Sequence, residues 1–104
     1  MALFLLALFQ HYDMSKKRNR LEVIRDILKV ILERNGKIKP THVLYKSNLS
    51  HQMMDEYLGE LIGKGFVVEH KTSAGKRYSV TDKGKMYLDK YRAISEFTNS
   101  FGLS

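Results

Sequence analysis

Three polar residues, Ser50-His51-Gln52, stand directly before an apolar series, Met54, Tyr57, Leu58, Leu61 and Ile62, whose spacing is that of a half-buried helix. Ser50 is a good N-cap, because its hydroxyl can accept a free N–H of the first turn. His51 and Gln52 are then left at the outward N-terminal end of that helix. A glutamine amide can pair bidentately with adenine, and a serine or histidine can reach a base edge or a phosphate. Cationic and amide side chains flank the helix: Lys46 and Asn48 before it, Lys71, Lys76 and Arg77 after it, and Lys16, Lys17, Arg18 and Arg20 near the N-terminus. Groups of this kind hold phosphates and set register without reading sequence. Asp55, Glu56 and Glu60 lie on the same helix and argue the other way, since carboxylates repel a phosphate-lined groove. They favour the alternative of a protein–protein interaction module that does not bind DNA.

Other chemistries find little support. His11, His42, His51 and His70 are spaced like no metal motif, and there is no cysteine to supply a thiolate. No Gly-rich phosphate loop precedes a helix, and no Ser-His-acid or paired-carboxylate pattern stands out. An enzyme is not expected, nor a cofactor, a metal or a small-molecule substrate.

The chain has 104 residues and a net charge of +7, enough for one domain with a polyanionic partner. Residues 1–20 hold four basic and one acidic residue, 21–49 six and three, and 66–85 five and two. Residues 50–64 hold one and three, and 86–104 are neutral. The positive charge therefore brackets the candidate reading helix and does not lie on it. Residues 2–9 form an apolar run of eight, short of the roughly 20 that cross a bilayer. Its flanks are not those of a signal peptide. The expectation is that Met14 is the native start and that residues 1–13 come from an upstream start codon. An ordered helix, or a peripheral membrane anchor at Leu3–Phe9, is the alternative.

The elements that must position these residues follow from periodicity. Residues 20–35 predict a first helix, with Leu21, Ile24, Ile27, Leu28, Ile31 and Leu32 as its apolar stripe and Asn35-Gly36 as its end. Val23 and Val30 flank that stripe and fit either the core or a partner helix. Lys37-Ile38-Lys39 reads as a short extended segment before Pro40, which suits a first helical turn. Val43 and Leu44 give a second short helix, and Lys46-Ser47-Asn48 the turn. Gly65 is placed for a left-handed cap after the third helix. Phe66–Lys71 and Lys76–Val80 predict two strands joined by Thr72–Gly75, with Tyr78 and Val80 inward and Arg77 and Ser79 outward. Thr81 caps a last helix over 82 to about 98, with Asp82 in its first turn. The order is helix, short strand, helix, helix, strand, strand, helix. That is a mainly α fold with a small β-hairpin (α+β), a winged helix-turn-helix.

Three blocks carry a more specific likeness: Leu44-Tyr45-Lys46-Ser47-Asn48-Leu49-Ser50, Tyr57-Leu58-Gly59-Glu60-Leu61-Ile62-Gly63-Lys64-Gly65-Phe66-Val67 and Tyr78-Ser79-Val80-Thr81-Asp82-Lys83-Gly84. Over about residues 16–95 the chain resembles the archaeal winged helix-turn-helix DNA-binding proteins of about ten kilodaltons. In that family the blocks are the turn, the recognition helix entering the wing, and the wing closing into the C-terminal helix. The resemblance implies binding of double-stranded DNA and homodimerisation through a C-terminal coiled-coil helix. Here the dimer face is expected at Tyr87, Tyr91, Ile94, Phe97 and Phe101. Two features depart from the family: the last helix has room for only two to three heptads before Gly102, and the reading helix is acidic. The resulting expectation is a cytoplasmic, nucleoid-associated transcriptional regulator or chromatin protein without a membrane partner. It divides into an N-terminal extension (1–15), a winged domain (16–81) and a dimerisation helix (82–104).

Overall fold

The computed structural model describes residues 18–103, so residues 1–15, Lys16 and Lys17 lie outside it. Six elements follow: α1 (Arg20–Glu33), α2 (Pro40–Ser47), α3 (His51–Gly63), β1 (Val67–Thr72), β2 (Gly75–Val80) and α4 (Asp82–Ser100). Their order is that of a winged helix-turn-helix.

Helix α1 opens with a capping box. The Asn19 side chain accepts from Glu22 N–H at 2.9 Å, and the Glu22 carboxylate accepts from Asn19 N–H at 3.4 Å. Its buried residues are Val23, Ile24, Ile27, Leu28, Val30 and Ile31. The core-facing stripe is thus rotated from the expected one: Val23 and Val30 are core, while Leu21 is 56% and Leu32 37% exposed. The reason is that Leu21 and Leu32 sit at the edge of α1 bordering α4, where they line surface crevices.

Lys46 and Ser47 are the last turn of α2, not part of the turn itself. The helix stops at Asn48, which adopts left-handed angles (φ 55°, ψ 52°). Asparagine tolerates that region better than most residues. The chain then needs only Leu49 before Ser50 caps α3 by accepting from Met53 N–H at 3.2 Å. Ser47 is 1% exposed, and its Oγ has no hydrogen-bond partner among the described residues.

The hairpin is antiparallel, with Val67 opposite Val80 and Lys71 opposite Lys76. The expected short strand at residues 37–39 is reduced to one bridge. Tyr78 N–H donates to Ile38 O at 3.3 Å, and Gly36 N–H donates to Tyr78 O at 2.8 Å. Pro40 starts α2 two residues later, which leaves no length for a ladder. Asn35 Oδ1 accepts from Val80 N–H at 2.7 Å, so three hydrogen bonds tie this loop to β2. One core joins all these elements, with Ile27, Leu28, Ile31, Ile38, Val43 and Val67 fully enclosed.

Candidate nucleic-acid interface

Helix α3 is fastened at three points, each using a polar group that the sequence alone had left for other purposes. At its N-terminal side is Arg18, expected in a basic arm. Its Nη1 donates to Asp26 Oδ2 at 2.5 Å, and its Nη2 donates to the carbonyls of Ser47 (2.9 Å) and Asn48 (3.2 Å). The side chain is 16% exposed. Those carbonyls end α2, where the helix dipole is negative and the last C=O groups lack partners. Arg18 therefore holds the turn that aims α3.

In the middle of the helix, Arg20 pairs with Glu60 and lies over the Tyr57 ring, 5.6 Å from its centroid. Lys64 Nζ reaches the other Glu60 oxygen at 3.0 Å. Arg20, and after it Lys64, hold the Glu60 carboxyl below the usual carboxylate range, and Glu60 in turn raises the Arg20 guanidinium. One of the three acids on α3 is thereby neutralised.

At the C-terminal end, three successive carbonyls are collected by the start of α4. Lys64 O accepts from Lys83 Nζ at 2.8 Å, Gly65 O from Thr81 Oγ1 at 2.6 Å, and Phe66 O from Thr81 N–H at 3.1 Å. Gly65 (φ +81°) makes the tight exit that exposes these groups. Thr81 Oγ1 also accepts from Gly84 N–H at 3.2 Å and so caps α4.

The fastened helix leaves Ser50, His51 and Gln52 exposed at its N-terminal end. Gln52 Nε2 donates to Glu56 Oε1 at 3.2 Å, which engages one amide hydrogen. On α2, Lys46 is 3.8 Å from Glu33, and Tyr45 stands 77% exposed beside it. Tyr45 was missed in the sequence, although an aromatic out of phase with the buried pair Val43 and Leu44 is a readable signal. Asp55 and Glu56 remain as exposed carboxylates.

The wing cations divide between the two faces of the hairpin. Register places Lys71 and Lys76 opposite each other on the face that carries Tyr78 and Val80. Arg77 lies across from His70 on the other face. Lys76 is 3.7 Å from Glu69, and Arg77 Nη1 donates to the Lys76 carbonyl at 2.7 Å. Like charges directly opposite, as at Lys71 and Lys76, cost stability in a sheet. The pair is tolerated at the exposed end of the hairpin, where solvent screens it.

Helix α4 is two helices in character. Its first half packs on α1, and Tyr87 there is committed to its own chain. The Tyr87 ring meets Phe66 edge-on at 6.1 Å, stacks on Tyr91 at 6.3 Å, and its hydroxyl donates to Leu21 O at 2.8 Å. Burial raises the Tyr87 phenol above its ordinary pKa. Tyr91 is half-buried under the Arg25 guanidinium. Further along, Ile94, Phe97 and Phe101 are 64–65% exposed. Among the described residues no group of His, Asp or Glu could hold a metal ion, and no helix is long and apolar enough to cross a membrane.

The arrangement has counterparts. Two uncharacterized proteins of Methanocaldococcus jannaschii are each 31% identical, over 80 and 84 residues. The alignments cover 77% and 81% of this chain; the chain spans 35% of the first relative and 80% of the second. The fold is similar to that of Sso10a-2, a DNA-binding protein from Sulfolobus solfataricus, with a TM-score of 0.66 and 25% identity. That likeness covers 82% of this chain and 90% of the other. The winged helix-turn-helix family model matches residues 17–99, and the chain belongs to that family.

Proposed function

We propose that this protein binds double-stranded DNA as a homodimer and acts as a transcriptional regulator or chromatin-associated protein of the nucleoid. The observation that carries the reading is the exposed Ser50-His51-Gln52 edge of a helix fastened at three points along its length, followed by a wing with cations on both faces. The first turn of such a helix enters the major groove in helix-turn-helix proteins, while flanking groups hold the backbone. Gln52 is the candidate base reader, with Ser50 and His51 at a base or phosphate. Lys46, Asn48, Lys71, Lys76 and Arg77 are phosphate contacts, and the Tyr45 hydroxyl is a further one. Lys16 and Lys17 complete the set as an arm; Arg18 and Arg20 support α3 from behind. The structural likeness to a protein described as DNA-binding supports the same assignment.

The test is titration of a fluorescent duplex at several salt concentrations. Binding should weaken steeply with salt, because each neutralised phosphate contributes about 0.9 to the log–log slope. The double variant Lys76→Ala/Arg77→Ala should bind every duplex on the order of tenfold more weakly, with a slope lower by about two. A wild-type protein silent at about 50 mM salt would sink the proposal. In that event the exposed Asp55 and Glu56 favour the protein-interaction reading.

Dimerisation rests on α4, where Ile94 and Phe97 are exposed on a helix about 28 Å long and Phe101, exposed as well, caps its end. Residues 82–104 would then be the dimerisation segment, and 16–81 the winged domain. Sedimentation equilibrium at micromolar concentration should give twice the monomer mass. Ile94→Glu/Phe97→Glu should shift it to the monomer; a wild-type monomer would remove the dimer.

A further inference from the structure

The acids of α3 count against DNA binding only if they stand idle, and Glu56 does not. Helix α3 contains neither arginine nor lysine, the usual partners of guanine. Gln52, Glu56, Gly59 and Gly63, at spacings of four, three and four, share the line of the helix farthest from buried Met54, Leu58 and Leu61. All of them are exposed. A Cβ at Gly59 or Gly63 would meet nothing within 4 Å, so the fold itself does not require glycine at either position. Bare positions let a groove wall approach the helix closely. They also leave Gln52 and Glu56 as the side chains on that line able to reach a base edge.

Those two side chains are joined. Gln52 Nε2 donates to Glu56 Oε1 at 3.2 Å, one helical turn further on. An ionised carboxylate only accepts, so this contact fixes which end of the amide is nitrogen and holds it against the flip open to a free glutamine. It engages one amide hydrogen. The second hydrogen and the carbonyl oxygen have no partner among the described residues. Adenine presents the matching pair in the major groove, an acceptor at N7 and a donor at N6.

The proposed function puts α3 in the major groove; resting on that reading, we infer that Glu56 is a positioning residue that presets Gln52 to read one adenine. The negative charge on α3 then belongs to the reading device: Glu60 is spent on Arg20 and Lys64, and Glu56 on Gln52. Removing Glu56 frees a side chain that binding must immobilise again, at about 2- to 12-fold in affinity for the adenine site. The same removal takes one carboxylate away from the phosphates, so affinity for unselected DNA holds or rises. These two effects run in opposite directions, which a general loss of structure does not reproduce.

The experiment is selection of bound sequences from a random duplex pool by the full chain, as wild type, Glu56→Ala and Gln52→Ala. Both residues are exposed, so both variants should fold, which a thermal melt checks. The wild type should enrich adenine at one position. Replacing that adenine by 7-deazaadenine, in which a C–H stands for N7, should weaken binding about fivefold or more. Glu56→Ala should lose about 2- to 12-fold in preference for the adenine while binding the unselected pool at least as tightly as the wild type. Gln52→Ala should lose the preference outright. Equal adenine preference in wild type and Glu56→Ala, an equal loss on every duplex, or unchanged binding of the 7-deaza duplex would overturn the role. Recovery of duplexes with no preferred adenine refutes it alone; recovery of no duplex at about 50 mM salt refutes the proposed function as well.

Discussion

Gly84→Ala is expected to lower the melting temperature by about 10 °C or more, because among the glycines it is the one where a Cβ would meet backbone. A Cβ at residue 84 would lie 2.5 Å from Val80 Cγ1 and 2.6 Å from the Phe66 carbonyl oxygen. Val80 could adjust its rotamer, but Phe66 O cannot move freely, because it accepts from Thr81 N–H at the joint between α3 and α4. The first turn of α4 must therefore shift. That pulls on Thr81, on the Gly65 carbonyl it holds, and on the register of β2. Over-packing of this sort costs about 1–3 kcal/mol, and more where backbone must move. Gly59→Ala supplies the contrast: residue 59 is in α3, and a Cβ there meets nothing within 4 Å. It should raise stability by about 0.5–1 kcal/mol through helix propensity. Thermal melts of the two variants decide the matter, and equal melting temperatures would contradict the packing argument.

Arg18→Met is expected to cost about 2 kcal/mol and about 10 °C in melting temperature, because it leaves two carbonyls and part of a carboxylate unpaired. The carbonyls are those of Ser47 and Asn48, so the loss falls on the turn before α3. Arg18→Lys keeps the charge without the fork and should recover only part of the stability. A mobile arm residue would behave in the opposite way. Its replacement would weaken DNA binding and leave the melt unchanged, so the two measurements together separate positioning from contact.

Most of the element order was legible in the sequence because the apolar spacings are regular and the punctuation is strong. Pro40, Ser50, Gly65 and Thr81 each stand where the structure starts or ends a helix. The rotation of α1 was not legible, since Leu21 and Leu32 extend a stripe that is wider than the core it serves. The turn was misplaced because Ser47, a residue typical of loops, is buried in a helix. The uses of charge were the hardest to see. Arg18, Arg20 and Lys83 count toward a basic surface in the sequence, yet each spends its donors on α3 or its neighbours. Only the tertiary approach of segments 18–26, 47–66 and 81–84 reveals that. The candidate reading edge at Ser50–Gln52 was legible because a helix N-cap is a local signal.

The hairpin has a fixed base and an open tip, and this bears on how such a protein can diversify. Its base is anchored by Asn35, Ile38 and Thr81, whereas its tip is only Ser73-Ala74, tied locally by Thr72. Insertions between residues 72 and 75 would lengthen the wing without disturbing either the core or the seat of α3. Descendants of this chain can thus change the reach and charge of one finger while inheriting the rest of the hand intact.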